Sequence, residues 1–123
     1  RYNSPTRGYD IIVYTGSGLM GREVANIQTC DAVVIVGGRS GTLGEFSIAY
    51  DQAKIIGVLE DTGGIADHIA ELLKVINKNT GARIIGHTDP VQLVKLLEQA
   101  YIDDVLPAYL DLIESHETDG ELE

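Results

Sequence analysis

The sequence is short of the residues that staple, metallate or positively charge a protein. Cysteine occurs once, at Cys30, in a chain of 123 residues. That excludes an intrachain disulfide and any cysteine-based metal site. The lone thiol falls between a helical stretch and a strand-like run, where it reads as a small buried apolar residue rather than a nucleophile. Lys and Arg number 9 against 19 Asp and Glu, leaving a formal net charge of −10. A protein that grips duplex regardless of sequence needs a basic face to release counterions, so nucleic acid is not expected as a partner. Anionic membrane surfaces are disfavoured for the same reason. No apolar run approaches the roughly 20 residues that span a bilayer. No signal peptide is visible, so the expected compartment is the cytoplasm. His68, His87 and His116 are spaced like no metal site. Neither a metal nor a resident cofactor is expected.

What is present is a regular alternation. Apolar residues make up 44% of the chain, enough to bury a core within one domain. Four short β-branched runs stand out: residues 11–14 (Ile-Ile-Val-Tyr), 32–36 (Ala-Val-Val-Ile-Val), 55–59 (Ile-Ile-Gly-Val-Leu) and 83–86 (Arg-Ile-Ile-Gly). Unbroken by polar residues, they read as strands covered on both faces. Between them the period changes to about 3.6 residues. Leu43, Phe46, Tyr50 and Ala53 share one helical face, Ile65, Ile69, Leu72, Leu73 and Ile76 a second, and Val91, Val94 and Leu97 a third. Asp89 followed by Pro90 marks a helix start, a capping acid before a proline at the first helical position. A last helix is expected from about residue 103 to 115, entered near Pro107 or broken by it. Strands alternating with helices predict an α/β fold with a parallel sheet. The apolar edge expected at residues 11–14 calls either for upstream strands absent from this chain, the favoured reading, or for another subunit to cover it. The domain spans residues 1–115, followed by an acidic, frayed tail at 116–123.

The chemistry-bearing segment is Gly37-Gly38-Arg39-Ser40-Gly41-Thr42, after a strand and at the opening of a helix. Glycines let backbone N–H groups approach an anion, and the helix adds its positive end, so a phosphate is the natural occupant. Thr42 is placed either to cap the helix or to donate its hydroxyl to a phosphate oxygen. Arg39 either clamps that phosphate or fills the pocket in favour of another ligand. The strand-end turns at residues 61–64 and 15–18 are candidate further walls. A tight turn with no ligand is the plain alternative for the glycine run.

Extended to Leu43, Gly44 and Glu45, the run resembles the PGGxGTxxE signature of the LONELY GUY (LOG) family, the lysine decarboxylase-like proteins with their molybdenum-cofactor carrier relatives. Gly41, Thr42 and Glu45 match its fifth, sixth and ninth positions; Gly37 replaces its proline and Arg39 its third-position glycine. Arg22, nine residues ahead of Asp31-Ala32, matches the arginine these enzymes carry on the preceding helix. The resemblance covers roughly residues 10–100 and lacks the family's first βα units. It implies a Rossmann-like parallel sheet with helices on both faces, as a truncated domain. It also implies a small-molecule nucleotide ligand held by Gly37, Gly38, Arg39, Ser40, Gly41 and Thr42, and a homodimer or higher homo-oligomer. The implied reaction is hydrolysis of the N-glycosidic bond of a nucleoside 5′-monophosphate, with Arg22 and Glu45 as the catalytic pair. A non-catalytic nucleotide or molybdenum-cofactor carrier or sensor is the alternative. Outside the resemblance, Glu45 reads as a first-turn acid complementing the helix dipole, and Arg22 as a solvated helix residue.

Overall fold

The computed structural model describes the backbone of residues 18–122 and the side chains of residues 23–115. The expected strand at 11–14 and the turn at 15–17 lie outside the described residues. Helix α1 (Gly18–Gln28) leads into β1 (Ala32–Val36), followed by α2 (Ser40–Asp51) and β2 (Ile55–Leu59). A 3₁₀ turn (Gly64–His68) passes into α3 (Ile69–Ile76), and β3 (Arg83–His87) leads to α4 (Pro90–Ala100). A π-helical turn (Tyr101–Val105) then joins α4 to α5 (Leu106–Leu122). Pro107 is the second residue of α5, directly after the π-helical turn, in which the Leu106 N–H donates to the Tyr101 carbonyl.

The three strands pair in parallel in the order β1-β2-β3. Val33 stands opposite Ile56, which stands opposite Ile84, so these three side chains form one row on one face of the sheet. Ile35 and Val58 form the next row on that face. Ile27 of α1, Phe46 and Ala49 of α2, and Ile69 of α3 close over both rows as the larger core. On the opposite face Ile55 meets Leu93, Leu97 and Ala100 of α4 in a second core. Gly57 is what lets α4 come so close, since a Cβ there would lie 2.7 Å from a Leu97 methyl carbon. The architecture is thus a small Rossmann-like α/β domain, a three-stranded parallel sheet flanked by helices.

Local chemistry starts α4 where it was expected to, and ends other elements at residues not singled out beforehand. Asp89 caps α4, its carboxylate accepting from the Val91 N–H at 3.2 Å, with Pro90 first in the helix. Asn77, in the left-handed conformation, stops α3. The Tyr50 hydroxyl donates to the Lys78 carbonyl and the Thr80 hydroxyl to the Tyr50 carbonyl, pinning the α3–β3 connection onto α2. At the far end the Tyr109 hydroxyl donates to Asp31 at 2.8 Å, tying α5 to the start of β1. That bond and the Asp31 charge raise the Tyr109 phenol above its ordinary pKa.

Four expectations need correction. Both faces were expected to be covered along every strand, and this holds only for β2. Val34 and Val36 of β1 are 47% and 55% exposed, because α4 packs mainly over β2 and β3 and reaches β1 at Ala32. The buried stripe of α4 is Leu93, Leu97 and Ala100; Val91 and Val94 turn outward, and only Leu97 of the expected face is buried. Ala53 lies beyond the end of α2 with φ 57° and does not extend its face. Cys30 is exposed: α1 ends at Gln28, Ile27 takes the buried position, and Cys30 is left in the connection to β1.

The orientation of α4 is testable by paired substitutions. Leu93 is 1% exposed and Val91 58% exposed. Leu93→Ala should lower the unfolding free energy by about 2–5 kcal/mol in urea titration, and Val91→Ala should stay within about 0.5 kcal/mol of the parent. Equal losses would contradict the observed packing.

Candidate functional site

The glycine turn leaves β1 at the carboxyl end of the sheet, the edge at which open parallel sheets collect ligands. Gly37 and Gly38 have φ of 54° and 97°, conformations that L side chains rarely adopt. They are held by a second strand-end turn, residues 61–64 after β2. The Gly37 N–H donates to the Thr62 hydroxyl oxygen at 2.9 Å, and that hydroxyl donates to the Leu59 carbonyl at 2.7 Å. In return the Ile65 and Ala66 N–H groups donate to the Gly38 and Gly37 carbonyls, both at 3.0 Å. Backbone approaches backbone so closely that a Cβ on Gly64 would overlap the Gly38 carbonyl oxygen. Asp67 braces this second turn, its two carboxylate oxygens accepting from the Asp61 and Gly63 N–H groups at 3.0 Å each.

With its carbonyls engaged, the turn offers donors. Helix α2 starts at Ser40 with Arg39 as its N-cap residue, and the Arg39 side chain makes no capping bond. Among the described residues no acceptor meets the N–H groups of residues 38–42. These are the orphan amides and positive pole of a helix start. The Thr42 side chain packs against Gly38; it is the third helical residue and not the cap. A cleft of about 560 Å³ opens here, lined by Gly38, Arg39, Ser40, Gly41, Thr42 and Glu45. Its size falls within the roughly 300–1,000 Å³ of small-molecule sites.

Of the residues singled out from the sequence, all of 38–42 together with Glu45 line this one cleft; Gly37 stands behind it as the hinge to β1. Glu45 lies in the second turn of α2, one turn beyond Gly41, and the first turn holds no acid. Its reading as a first-turn dipole partner therefore has no geometric basis. Arg22 belongs to α1, and its side chain lies outside the described residues. The turn at 61–64 is a buttress of the glycine loop, and Gly18, from the turn at 15–18, is the first residue of α1.

Two residues escaped the sequence reading, and Thr62 entered it only as part of the turn at 61–64. Asp67 acts through bonds to backbone groups of that turn, which no sequence signal marks. The other is Glu23, whose carboxylate oxygens lie 3.5 Å and 3.1 Å from where side chains on Gly41 and Gly44 would begin. Two glycines inside a helix are each unfavourable by about 1 kcal/mol relative to alanine. Here they admit Glu23 of α1 to the first turns of α2. The two described histidine side chains are engaged locally: the Asp89 N–H donates to His87 Nδ1 at 2.8 Å, and His68 lies 3.3 Å from Glu71. Among the described residues no His, Cys, Asp and Glu cluster is arranged to hold a metal ion. No helix among them is long and apolar enough to cross a membrane.

Compared with known proteins, residues 1–94 match the family model described as LDcluster4, the SLOG cluster4 family. No curated protein and no solved structure matches the chain.

The Thr62 hydroxyl is the hinge-pin of the paired turns and can be removed almost isosterically. Thr62→Val should cost about 1–3 kcal/mol for its two hydrogen bonds, measured by chemical denaturation. Thr62→Ser, which keeps the hydroxyl, should recover most of that loss.

Proposed function

The chain belongs to the SLOG cluster4 family, within the LOG/lysine decarboxylase-like superfamily, and from that premise we propose that it binds a nucleoside 5′-phosphate at residues 38–42 and hydrolyses its N-glycosidic bond. The observation that carries this reading is the cleft in which uncapped helix amides, the Ser40 and Thr42 side chains and the Glu45 carboxylate meet. The phosphate sits on the amides, and this grip, remote from the reacting carbon, orients the sugar. Water attacks the anomeric carbon as the bond to the base breaks. The bonding electron pair leaves with the base, which gains a proton, and ribose 5-phosphate remains when a monophosphate is the substrate. Glu45 takes the proton of the attacking water or stabilises the oxocarbenium-like transition state. Arg22, matched through the family signature, is assigned to holding ligand oxygens.

A second reading has an observation of its own. Arg39 lines the cleft where the hydrolase signature has glycine. That favours a nucleotide or molybdenum-cofactor carrier or sensor, which binds the same phosphate and turns nothing over. Incubation with a panel of nucleoside mono- and diphosphates, with chromatography for free base, separates the two. Glu45→Gln should retain phosphate binding and lose base release by about 100-fold or more. Equal release by parent and variant would retire Glu45 as the catalytic group, and no release by the parent would leave the carrier reading in front.

The proposal includes self-association. Val34 and Val36 of β1 are exposed on an apolar sheet face, and Leu110, Leu112 and Ile113 of α5 are exposed as well. Light scattering at micromolar concentration should report at least a homodimer; a monomer would contradict it.

A further inference from the structure

Arg39 occupies a position that the folded chain by itself disfavours. As N-cap residue of α2 it makes no capping hydrogen bond, where Ser, Thr, Asp or Asn would satisfy a free amide. It places a cation beside the positive pole of the helix, the end at which anions are stabilised. The chain has 19 acids for 9 Lys and Arg, and two other cations have found partners: Arg83 with Asp104 at 2.8 Å and Lys78 with Asp51 at 3.2 Å. Arg39 is exposed, and among the described residues its side chain has neither a carboxylate nor a hydrogen-bond partner. It nevertheless lines the cleft with the free amides of α2 and with Glu45. An anion lying between the guanidinium and the helix end turns both unfavourable terms into favourable ones.

The number of donors indicates what kind of anion. The free N–H groups of residues 38–42, with the Ser40 and Thr42 hydroxyls, supply donors for the oxygens of one phosphate. The guanidinium is a rigid fork of N–H groups that pairs best with two oxygens of its own. From this we infer that Arg39 recognises a second phosphoryl group, so that the preferred ligand class is a nucleoside diphosphate or a nucleotide extended through a pyrophosphate link. The first phosphoryl group sits on the amides and the second meets Arg39. This rests on the phosphate site proposed above and adds Arg39 as its specificity-determining residue.

Inorganic phosphate and pyrophosphate serve as probes that need no knowledge of the base. Calorimetric titration is done on the full chain with chelator present, comparing the parent with Arg39→Ala, Arg39→Lys and Lys95→Ala. The parent should bind pyrophosphate at least about tenfold tighter than phosphate. Arg39→Ala should bring that ratio to within about twofold, and Arg39→Lys should give an intermediate ratio, since an ammonium keeps the charge and loses the fork. Lys95 lies on α4, against the opposite face of the sheet, so Lys95→Ala controls for net charge and should keep the parent's ratio. A parent that binds phosphate without preferring pyrophosphate overturns this inference alone. So does a preference that survives in Arg39→Ala or falls equally in Lys95→Ala. A parent that binds neither anion overturns the phosphate site as well.

Discussion

The site depends on two turns that hold each other in conformations neither would adopt alone. The turn after β1 uses left-handed backbone at Gly37 and Gly38, the turn after β2 at Asp61, Gly63 and Gly64. Three hydrogen bonds, through the Thr62 hydroxyl and the Ile65 and Ala66 N–H groups, lock one to the other, and the Leu59 carbonyl holds the Thr62 hydroxyl in place. Because they consume the carbonyls of residues 37 and 38, and no acceptor among the described residues meets the amides of 38–42, the junction presents donors outward. A loop with the same glycines and no such anchorage would satisfy those amides in many ways and hold an anion loosely.

The parallel sheet makes this junction possible. β1 and β2 are hydrogen-bonded neighbours in register from Ala32 and Ile55 to Val36 and Leu59. Their carboxyl ends, and so their exit turns, emerge side by side. The helices then divide the work: α1, α2 and α3 bury the rows through Val33 and Ile35, and α4 buries Ile55 on the other face. Phe46 and Ala49, both fully buried, fix α2 on the sheet, so the helix start is aimed rather than merely present. Glu45, one residue before Phe46, inherits that fixed position at the mouth of the cleft.

Electrostatics explains why such a site can work in so acidic a chain. A net charge of −10 repels anionic ligands at long range, but that field is screened over about 8–10 Å at physiological salt. Within that distance the ligand meets the helix pole, the amides and Arg39, together with the Glu45 carboxylate that lines the cleft. Local donors therefore decide binding, and the overall charge acts on the rate of approach and on the exclusion of polyanions.

Much of this was legible in one dimension because its causes are local. The three described strands, the Asp89-Pro90 helix start and the glycine turn opening α2 are set by β-branched runs, capping chemistry and left-handed glycine preference, all of which act within a few residues. The outward face of α4 was not legible. Val91, Leu93, Val94, Leu96 and Leu97 offer apolar residues around most of its circumference, and only the closeness of Gly57 to Leu97 chooses the stripe that is buried. The exposure of Cys30 likewise follows from Ile27, inside the last turn of α1, taking the buried position before the connection to β1 begins. Thr62 holding Gly37 spans 25 residues, and Glu23 against Gly41 and Gly44 joins two helices across a strand. Contacts of that range arise only once the chain has folded back on itself, because sequence patterns encode which face is apolar but not what the face will meet.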